Sequence, residues 1–362
     1  MVVEPKTLNE GNQHSFPLAF FGLEIEEAES LVGSLAGKAY HGRSFVNFIY
    51  KHHKTSLDQM LSISKEVREN LKNLVDFSPL VIKRRLISKD GTIKFLFEIQ
   101  TTKGPQEIES VYIPDDERVT LCVSSQVGCK MACQFCLTAQ LGFKDSLTAA
   151  QIVAQVYSVN IDPQTRPITN VVFMGMGEPF DNIDEVRRAT RILTHPRGLN
   201  LSARKVTVST VGLVDKIDSL TKDDPFRLAV SLNSSTDELR SRLMPVNRRW
   251  PLKELMRACH DYSQRTNKWI TFEYILMAGL TDQPEDSSRL ISLIGPLRCK
   301  LNLIPYNESE FTEFKRPSEQ AVLNFHQMML KAEVPVFIRK NRGNDIFAAC
   351  GMLRRVQSIS LN

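Results

Sequence analysis

Apolar residues recur at helical spacing through LEIEEAESLVGSL and SFVNFIYKHH, the second placing Phe45, Phe48 and Ile49 on one stripe. Thr55 or Ser56 can cap SLDQMLSI ahead of SKEVRENLKNLV, so residues 17–75 read as a small helical unit. The period then changes. LISKDGTIKFLFEI alternates about an Asp90-Gly91 turn, which is a hairpin signal, and ESVYIP from Glu109 adds a further strand. From about residue 120, strand-length apolar runs alternate with amphipathic segments. VTLCVSS, ITNVVFMG, KVTVSTVG, FRLAVSLN, WITFEYILM, CKLNLIPYN and VPVFIRKN are the expected strands. Helices are expected in LTAAQIVAQVYSV, DNIDEVRRATRIL, LVDKIDSL, near Pro251, in SSRLISLIGPL and from Ser318.

About six βα units are too few to close an eight-stranded barrel. The expected fold class is therefore α/β: a partial (βα)6 barrel carrying a small N-terminal helical domain and a β-rich extension. The corresponding divisions are an N-terminal helical accessory domain at 1–75, an extension at 76–118, the partial barrel at 119–345 and a C-terminal segment at 346–362. A cleft is expected at the C-terminal ends of the parallel strands.

Composition narrows this picture modestly. The chain has 362 residues and an apolar fraction of 42%, enough for a sizeable core. Its start, MVVEPKTLNEGNQH, lacks the basic and apolar runs of a secretory signal, and no stretch approaches a membrane span. Seven cysteines, three of them close together, suit thiol and metal chemistry in a reducing cytoplasm rather than a disulfide scaffold. A net charge of +5 permits a nucleic-acid partner without establishing one. Lys38, Arg43, Lys51, Lys54 and Lys65, scattered over the helical unit, read either as a solvated face or as an RNA-contacting one.

The candidate chemistry lies at the strand ends. Cys129, Cys133 and Cys136 in GCKMACQFC form a Cys-x3-Cys-x2-Cys cluster, which suits soft metals or an iron–sulfur cluster. A [4Fe–4S] cluster held by three cysteines leaves one iron open for a small ligand; a zinc site completed by Cys350 or a histidine is the alternative. The spacing resembles that of the radical S-adenosylmethionine (SAM) enzymes. Gly175-Met176-Gly177-Glu178-Pro179 follows one strand, where glycines admit close backbone approach and Glu178 can accept from an amine. Ser209, the Ser231-Leu232-Asn233 run and Asn307 end further strands. Each alone suits a local cap or turn, but together they suit a polar cofactor. Cys122 precedes the cysteine loop, and Cys350 lies between Gly343 and Gly351 in a segment where a thiol can react.

Taken together, ESVYIP, LCVSSQVGCKMACQFCLTAQLGF, FMGMGEP, VTVSTVG, RLMPVN, NLIPYN and GNDIFAACG make the chain resemble the RlmN/Cfr family of radical SAM adenine RNA methyltransferases over nearly its whole length. That resemblance implies a [4Fe–4S] cluster on Cys129, Cys133 and Cys136, and SAM contacts at Gly177, Glu178, Ser209, Ser231, Leu232, Asn233 and Asn307. It implies Cys350 as methyl carrier, Cys122 as resolving cysteine and Glu109 as proton acceptor. In the family's reaction two SAM molecules serve each turnover. The first methylates the carrier cysteine, and the second yields the radical that makes its methyl group reactive toward adenine. The resolving cysteine then breaks the protein–RNA adduct by forming a disulfide, which a reductant restores.

The GEP and SQVGC runs favour adenine C2 as the target over C8, the position modified by the Cfr branch. The implied partners are 23S ribosomal RNA at adenosine 2503, transfer RNA as a second substrate class, and a low-potential electron donor such as flavodoxin. A monomer without a membrane partner is expected. A metal-containing RNA-binding protein without enzymatic activity is the competing class. Asn233 and Met352 depart from the family's usual histidine and glutamine, and Arg339, Lys340 and Arg342 are candidates to meet RNA phosphate.

Overall fold

A computed structural model of the chain describes residues 18–36 and 38–353. Residues 1–17 of the expected N-terminal unit and 354–362 of the expected C-terminal segment lie outside the described residues. The chain opens with β1 (Leu18–Ala19), α1 (Ile25–Leu35), α2 (Ala39–Tyr50), α3 (Lys65–Leu74) and β2 (Val75–Asp76), β1 and β2 pairing in parallel. Ser64 caps α3 by accepting from the Val67 N–H. The expected helix in SLDQMLSI is only a 3-10 turn, Leu57–Gln59, capped by Ser56 rather than Thr55. Its apolar residues Leu57, Met60 and Ile63 are buried, but no regular helical segment connects them.

Three antiparallel strands follow: β3 (Val81–Ile87), β4 (Ile93–Thr101) and β5 (Gly104–Pro114). Ile87 pairs with Ile93 around the Asp90-Gly91 turn, where Gly91 takes a φ of 82°. That conformation is easy only for glycine. The exposed edge strand β3 carries Lys83, Arg84 and Arg85, charges that discourage pairing with another chain.

β6 (Val119–Cys122) begins the parallel region and precedes the two-residue strand β7 (Gln126–Val127), α4 (Leu137–Gln140), β8 (Asp145–Ser146) and α5 (Ala149–Asn160). The chain continues through β9 (Asn170–Phe173), α6 (Ile183–Thr194), β10 (Val206–Thr210), α7 (Val214–Asp218), β11 (Arg227–Ser231), α8 (Asp237–Leu243) and α9 (Leu252–Thr266). It ends with β12 (Ile270–Leu276), α10 (Pro284–Ile294), β13 (Cys299–Pro305), α11 (Glu319–Lys331) and β14 (Val336–Ile338).

Among the described residues, ten strands form one sheet in the order β14-β13-β12-β11-β10-β9-β6-β5-β4-β3. From β6 to β14 all neighbours are parallel. Each new strand joins the same edge, as successive crossovers of one hand dictate. The expected six βα units are present, with short β14 as a further strand. The antiparallel hairpin continues the same sheet beyond β6.

Apolar burial explains the layers. Val171, Phe173, Val206, Val208, Leu228 and Val230 are at most 1% exposed, each contributing about 1.5–3 kcal/mol by leaving water. α5 is buried nearly all round because the N-terminal helices cover its outer face. Its Tyr157 packs on Phe21 at a ring separation of 4.6 Å and donates its hydroxyl proton to the Lys54 carbonyl at 3.0 Å. The helical unit therefore sits against the first βα unit. Lys38, Arg43, Lys51, Lys54 and Lys65 are all exposed. No described helix is long and apolar enough to cross a membrane.

Candidate active site

The loop after β6 and the turn after β9 are knitted together. The Gly175 N–H donates to the Val123 carbonyl, and the N–H groups of Ser125 and Gln126 donate to the Met176 carbonyl. Glu178 N–H donates to Gln126 Oε1 at 3.0 Å. Gly177 has a φ of 101°, and a Cβ there would lie 2.6 Å from Gln126 Cβ. Both facts require glycine. The SQV run is thus the platform on which the glycine turn rests.

A cleft partly open to solvent lies at the C-terminal strand ends. Its wall includes Cys129, Cys133, Cys136, Gly177, Glu178, Ser209, Ser231, Asn233 and Cys350, nine of the residues singled out from the sequence. Among the described residues no His, Cys, Asp and Glu side chains converge as a single-ion site requires. The three thiols instead share the cleft wall. Three soft donors on one wall suit a soft metal or an iron–sulfur cluster. Burial is the first cause raising all three thiols: Cys129 to about 12, Cys133 well above its ordinary value, and Cys136 upward. Metal binding must therefore displace their protons.

Buried polar atoms in the cleft wall and just outside it test its fit to SAM; Asn307 is outside the wall but reaches Cys350, which is part of it. Asn307 is 6% exposed, its Oδ1 has no hydrogen-bond partner, and its Nδ2 reaches the Cys350 carbonyl at 3.5 Å. Glu273 in the cleft wall likewise has an unpartnered Oε2, while Oε1 accepts from Asn302 at 2.8 Å. Two buried acceptors without partners suit a ligand bearing amino and hydroxyl donors. Glu273 was not apparent from the sequence; the signal available was a charged residue alternating inward within ITFEYIL.

Several residues behave differently from expectation. Glu178 spends both carboxylate oxygens internally: Oε1 accepts from Phe180 N–H at 3.0 Å and Oε2 from Val211 N–H at 2.9 Å. Burial pushes it up to about 7 against these bonds. Leu232 is fully buried outside the cleft wall, its N–H donating to the Glu273 carbonyl. Asn233 adopts a φ of 55°, a conformation asparagine tolerates, and its Oδ1 accepts from Ile275 N–H. Met352 packs with Leu137 and Ala349. Arg240, two residues before the RLMPVN run and not apparent from the sequence, is fully buried and donates to the carbonyls of Val211, Ser231 and Leu232. It ties the ends of β10 and β11 together.

The C-terminal segment closes the site. Leu137 N–H donates to the Gly351 carbonyl at 2.8 Å, and Thr138 Oγ1 to the Leu353 carbonyl at 2.8 Å. Cys350 is thereby held beside the helix that begins after Cys136. At the other end of the segment, Asp345 accepts from Ser88 Oγ, and Gly343 N–H donates to Asp90 Oδ2 at 3.0 Å. The hairpin turn and the cysteine loop therefore grip the segment from two sides.

Cys122 is buried and, like Cys350, a free thiol. Burial first, then the nearby Cys350 thiol, push Cys122 up to about 12, while the Met174 N–H and Arg339 act in the opposite direction. Arg339 is turned inward: burial lowers it, but the nearby Cys350, Glu273 and Cys122 raise it more. This differs from its expected place against phosphate. Arg342 pairs with Asp115 at 3.3 Å, whereas Lys340 is exposed. Glu109 lies outside the main cleft, in a small recess with Arg84, Leu86, Lys94 and Leu96. Val111 pairs with Cys122, and Glu109 is two residues earlier, so Glu109 and Cys122 share a sheet face.

Parallel βα units, three cysteines after the first parallel strand and a glycine turn after the second define a radical SAM enzyme. The family model for the radical SAM superfamily matches residues 123–291, leaving Glu109, Cys122, Asn307 and Cys350 outside it. Those residues fall within longer similarities. The chain is 43% identical over 333 residues to the dual-specificity RNA methyltransferase RlmN of Geobacter sulfurreducens, covering 92% of this chain and 91% of that relative. It is 44% identical over 326 residues to RlmN 2 of Myxococcus xanthus, covering 88% and 85%. The crystal structure of a radical SAM methyltransferase from Sphaerobacter thermophilus superposes with a TM-score of 0.87 at 40% identity, covering 93% of this chain and 99% of that one. The chain belongs to the RlmN family of radical SAM methyltransferases.

Proposed function

We propose that the protein methylates C2 of an adenine in RNA, with Cys350 as the methyl carrier. The observation that carries this reading is the docking of the C-terminal segment, which brings Cys350 into the same cleft wall as Cys129, Cys133 and Cys136. Those three thiols would hold a [4Fe–4S] cluster. Gly177, Ser209, Ser231, Asn233 and Asn307 would cradle SAM, with Glu178 bracing the cradle through Val211 and Phe180. Cluster and SAM together would supply the methyl group and the radical chemistry that an unreactive aromatic carbon requires.

The protein's own residues do the remaining work. Cys350 Sγ accepts a methyl group and presents it to the base. Glu109 accepts the proton lost from the adducted carbon. Cys122, as its thiolate, attacks Cys350 sulfur; an S–S bond forms, the sulfur–carbon bond to the product breaks, and the electron pair leaves with the methylated base, which is protonated. An external reductant restores both thiols. The close placement of Cys122 and Cys350, and of Arg339 beside both, supports this assignment.

The relatives are named RNA methyltransferases, and the family resemblance makes 23S ribosomal RNA at adenosine 2503 the first substrate to test, with transfer RNA the second. Reaction over the strand-end rim requires the target base to leave its stack. A low-potential donor such as flavodoxin would reduce the cluster, and the reading is of a cytoplasmic monomer acting with two SAM molecules per turnover. The test is nucleoside mass spectrometry after anaerobic reaction of 23S ribosomal RNA and, separately, transfer RNA with SAM and reductant. Formation of 2-methyladenosine supports the reading. Formation of 8-methyladenosine instead, or no methylated adenine in either RNA class despite an intact cluster and SAM cleavage, would overturn it.

A further inference from the structure

We propose that Lys94 is a positioning residue that couples the Glu109 carboxylate to the C-terminal thiol segment. This rests on the proposed role of Glu109 and goes beyond it, because it identifies what holds the proton acceptor ionised and in register with Cys350. Lys94 is 2% exposed, and its Nζ lies 3.1 Å from Glu109 Oε1. The same ammonium donates to the carbonyl of Phe347 at 3.1 Å, three residues before Cys350. One buried cation therefore touches both the proton-accepting carboxylate and the strap that carries the methyl-bearing thiol.

Strand register explains the placement. Lys94 pairs with Val111, and Val111 with Cys122, so the three occupy one cross-strand row. Glu109 pairs with Leu96, two residues beyond Lys94, and therefore faces the same side. Phe95 and Phe97 alternate to the opposite face, where their rings stack at 5.9 Å. Removing its ammonium takes one charged donor from a buried carboxylate and from the Phe347 carbonyl. A buried ion pair gives little stability over a well-packed apolar pair. Fold stability is therefore a poor reason for a lysine here, whereas an ionised acceptor beside Cys122 requires a cation.

The charged and titratable groups facing Glu109 include Lys94 from β4, Arg84 from β3 across the same recess, and Cys122 from β6 on the shared sheet face. Arg84 is exposed to water, whereas Lys94 is not. Lys94 is consequently the less screened of the two cations. Loss of its charge favours the neutral acid at Glu109. The fraction of enzyme able to accept a proton then falls at low pH, and the acid limb of the rate profile moves to higher pH.

The experiment is a double-mutant cycle on the reconstituted full-length protein with Lys94→Met, Glu109→Gln and the double variant. Lys94→Gln is added because it keeps a neutral donor for the Phe347 carbonyl. Cluster content and methyl loading of Cys350 are measured first by iron analysis and peptide mass. Single-turnover formation of methylated adenine is then followed against pH. The expected result is a fall of about 100-fold near neutrality in Glu109→Gln, the scale of a lost general base, and in the Lys94 variants a loss that deepens as the pH is lowered. The acid limb should move upward by about one unit or more. The double variant should be no slower than Glu109→Gln alone.

Multiplicative losses, or an unmoved acid limb in Lys94→Gln, would overturn the coupling. If Lys94→Met loses its cluster, the Lys94→Gln profile decides. Wild-type turnover by Glu109→Gln would defeat the assignment of Glu109 itself. Wild-type turnover by Lys94→Gln, with Glu109→Gln slow, would defeat only the role given to Lys94.

Discussion

Replacing Gly343 by alanine should unseat the strap that carries Cys350. Gly343 has a φ of 62°, and a Cβ there would lie 2.8 Å from Ala348 Cβ, 2.8 Å from Thr92 Cγ2 and 3.3 Å from Thr92 Cβ. A left-handed backbone costs a non-glycine residue about 1–2 kcal/mol. Relieving two such close contacts costs about 1–3 kcal/mol more. A working figure of about 3 kcal/mol is a factor of roughly 100 in a docking equilibrium. It falls on anchors that all pass through this turn: Gly343 N–H to Asp90, Ala348 N–H to the Gly343 carbonyl, and Lys94 to the Phe347 carbonyl.

The effect should be selective because Gly343 does not line the SAM cleft. Methyl loading of Cys350 in the Gly343→Ala variant, timed by peptide mass spectrometry at saturating SAM, should slow by up to about 100-fold. The SAM dissociation constant, measured by equilibrium dialysis, should change by less than about threefold. Loading at the wild-type rate would refute the claim that this turn pins the segment. Equal losses of loading and SAM affinity would show that the cleft itself, rather than the strap, had been disturbed.

Other perturbations test separate parts of the site. Arg240→Met removes the donors to the carbonyls of Val211, Ser231 and Leu232 and should destabilise the fold by about 3–5 kcal/mol; a calorimetric loss below about 1 kcal/mol would contradict the strap between strand ends. Gly177→Ala, facing Gln126 Cβ at 2.6 Å with φ at 101°, should weaken SAM binding by about tenfold or more; unchanged titration calorimetry would remove the glycine cradle. Because Cys122 is pushed up to about 12, its thiolate fraction grows with pH throughout the neutral range. Release of methylated RNA from a pre-formed adduct should therefore accelerate about tenfold per pH unit between about pH 7 and about pH 9, and a flat rapid-quench profile would assign release to another group.

Much of this architecture was legible because a few physical signals were strong. Strands such as NVVF and RLAVS announce themselves as short apolar runs, and the three-cysteine spacing needs no tertiary information. Hidden features depended on contacts far apart in sequence. Lys94 meets a carbonyl 253 residues away, and Arg240 gathers carbonyls from two different strand ends. Neither partner set follows from local composition. SLDQMLSI carries a helical apolar pattern, yet tertiary packing draws Leu57, Met60 and Ile63 inward from a single 3-10 turn and irregular chain and leaves Leu61 exposed.

Arg339 shows a different limit. Its basic neighbours suggest a phosphate surface, but Ile338 pairs with Leu303, so the next residue follows Ile304 toward the cleft. Strand alternation contained that signal, and local charge obscured it. Glu178 was legible as important but not in its detailed role, because its backbone partners at Phe180 and Val211 appear only once two strand ends meet.

The central claim is that Cys350 carries the methyl group and Cys122 releases the product. The most direct test is a single anaerobic turnover of the Cys122→Ala variant with RNA and SAM, followed by nuclease digestion and peptide mass mapping. The account predicts an adenosine joined through one carbon to Cys350, accumulating in that variant and absent when Cys350→Ala is added. Free methylated adenine at the wild-type rate, with no Cys350 adduct, would contradict it.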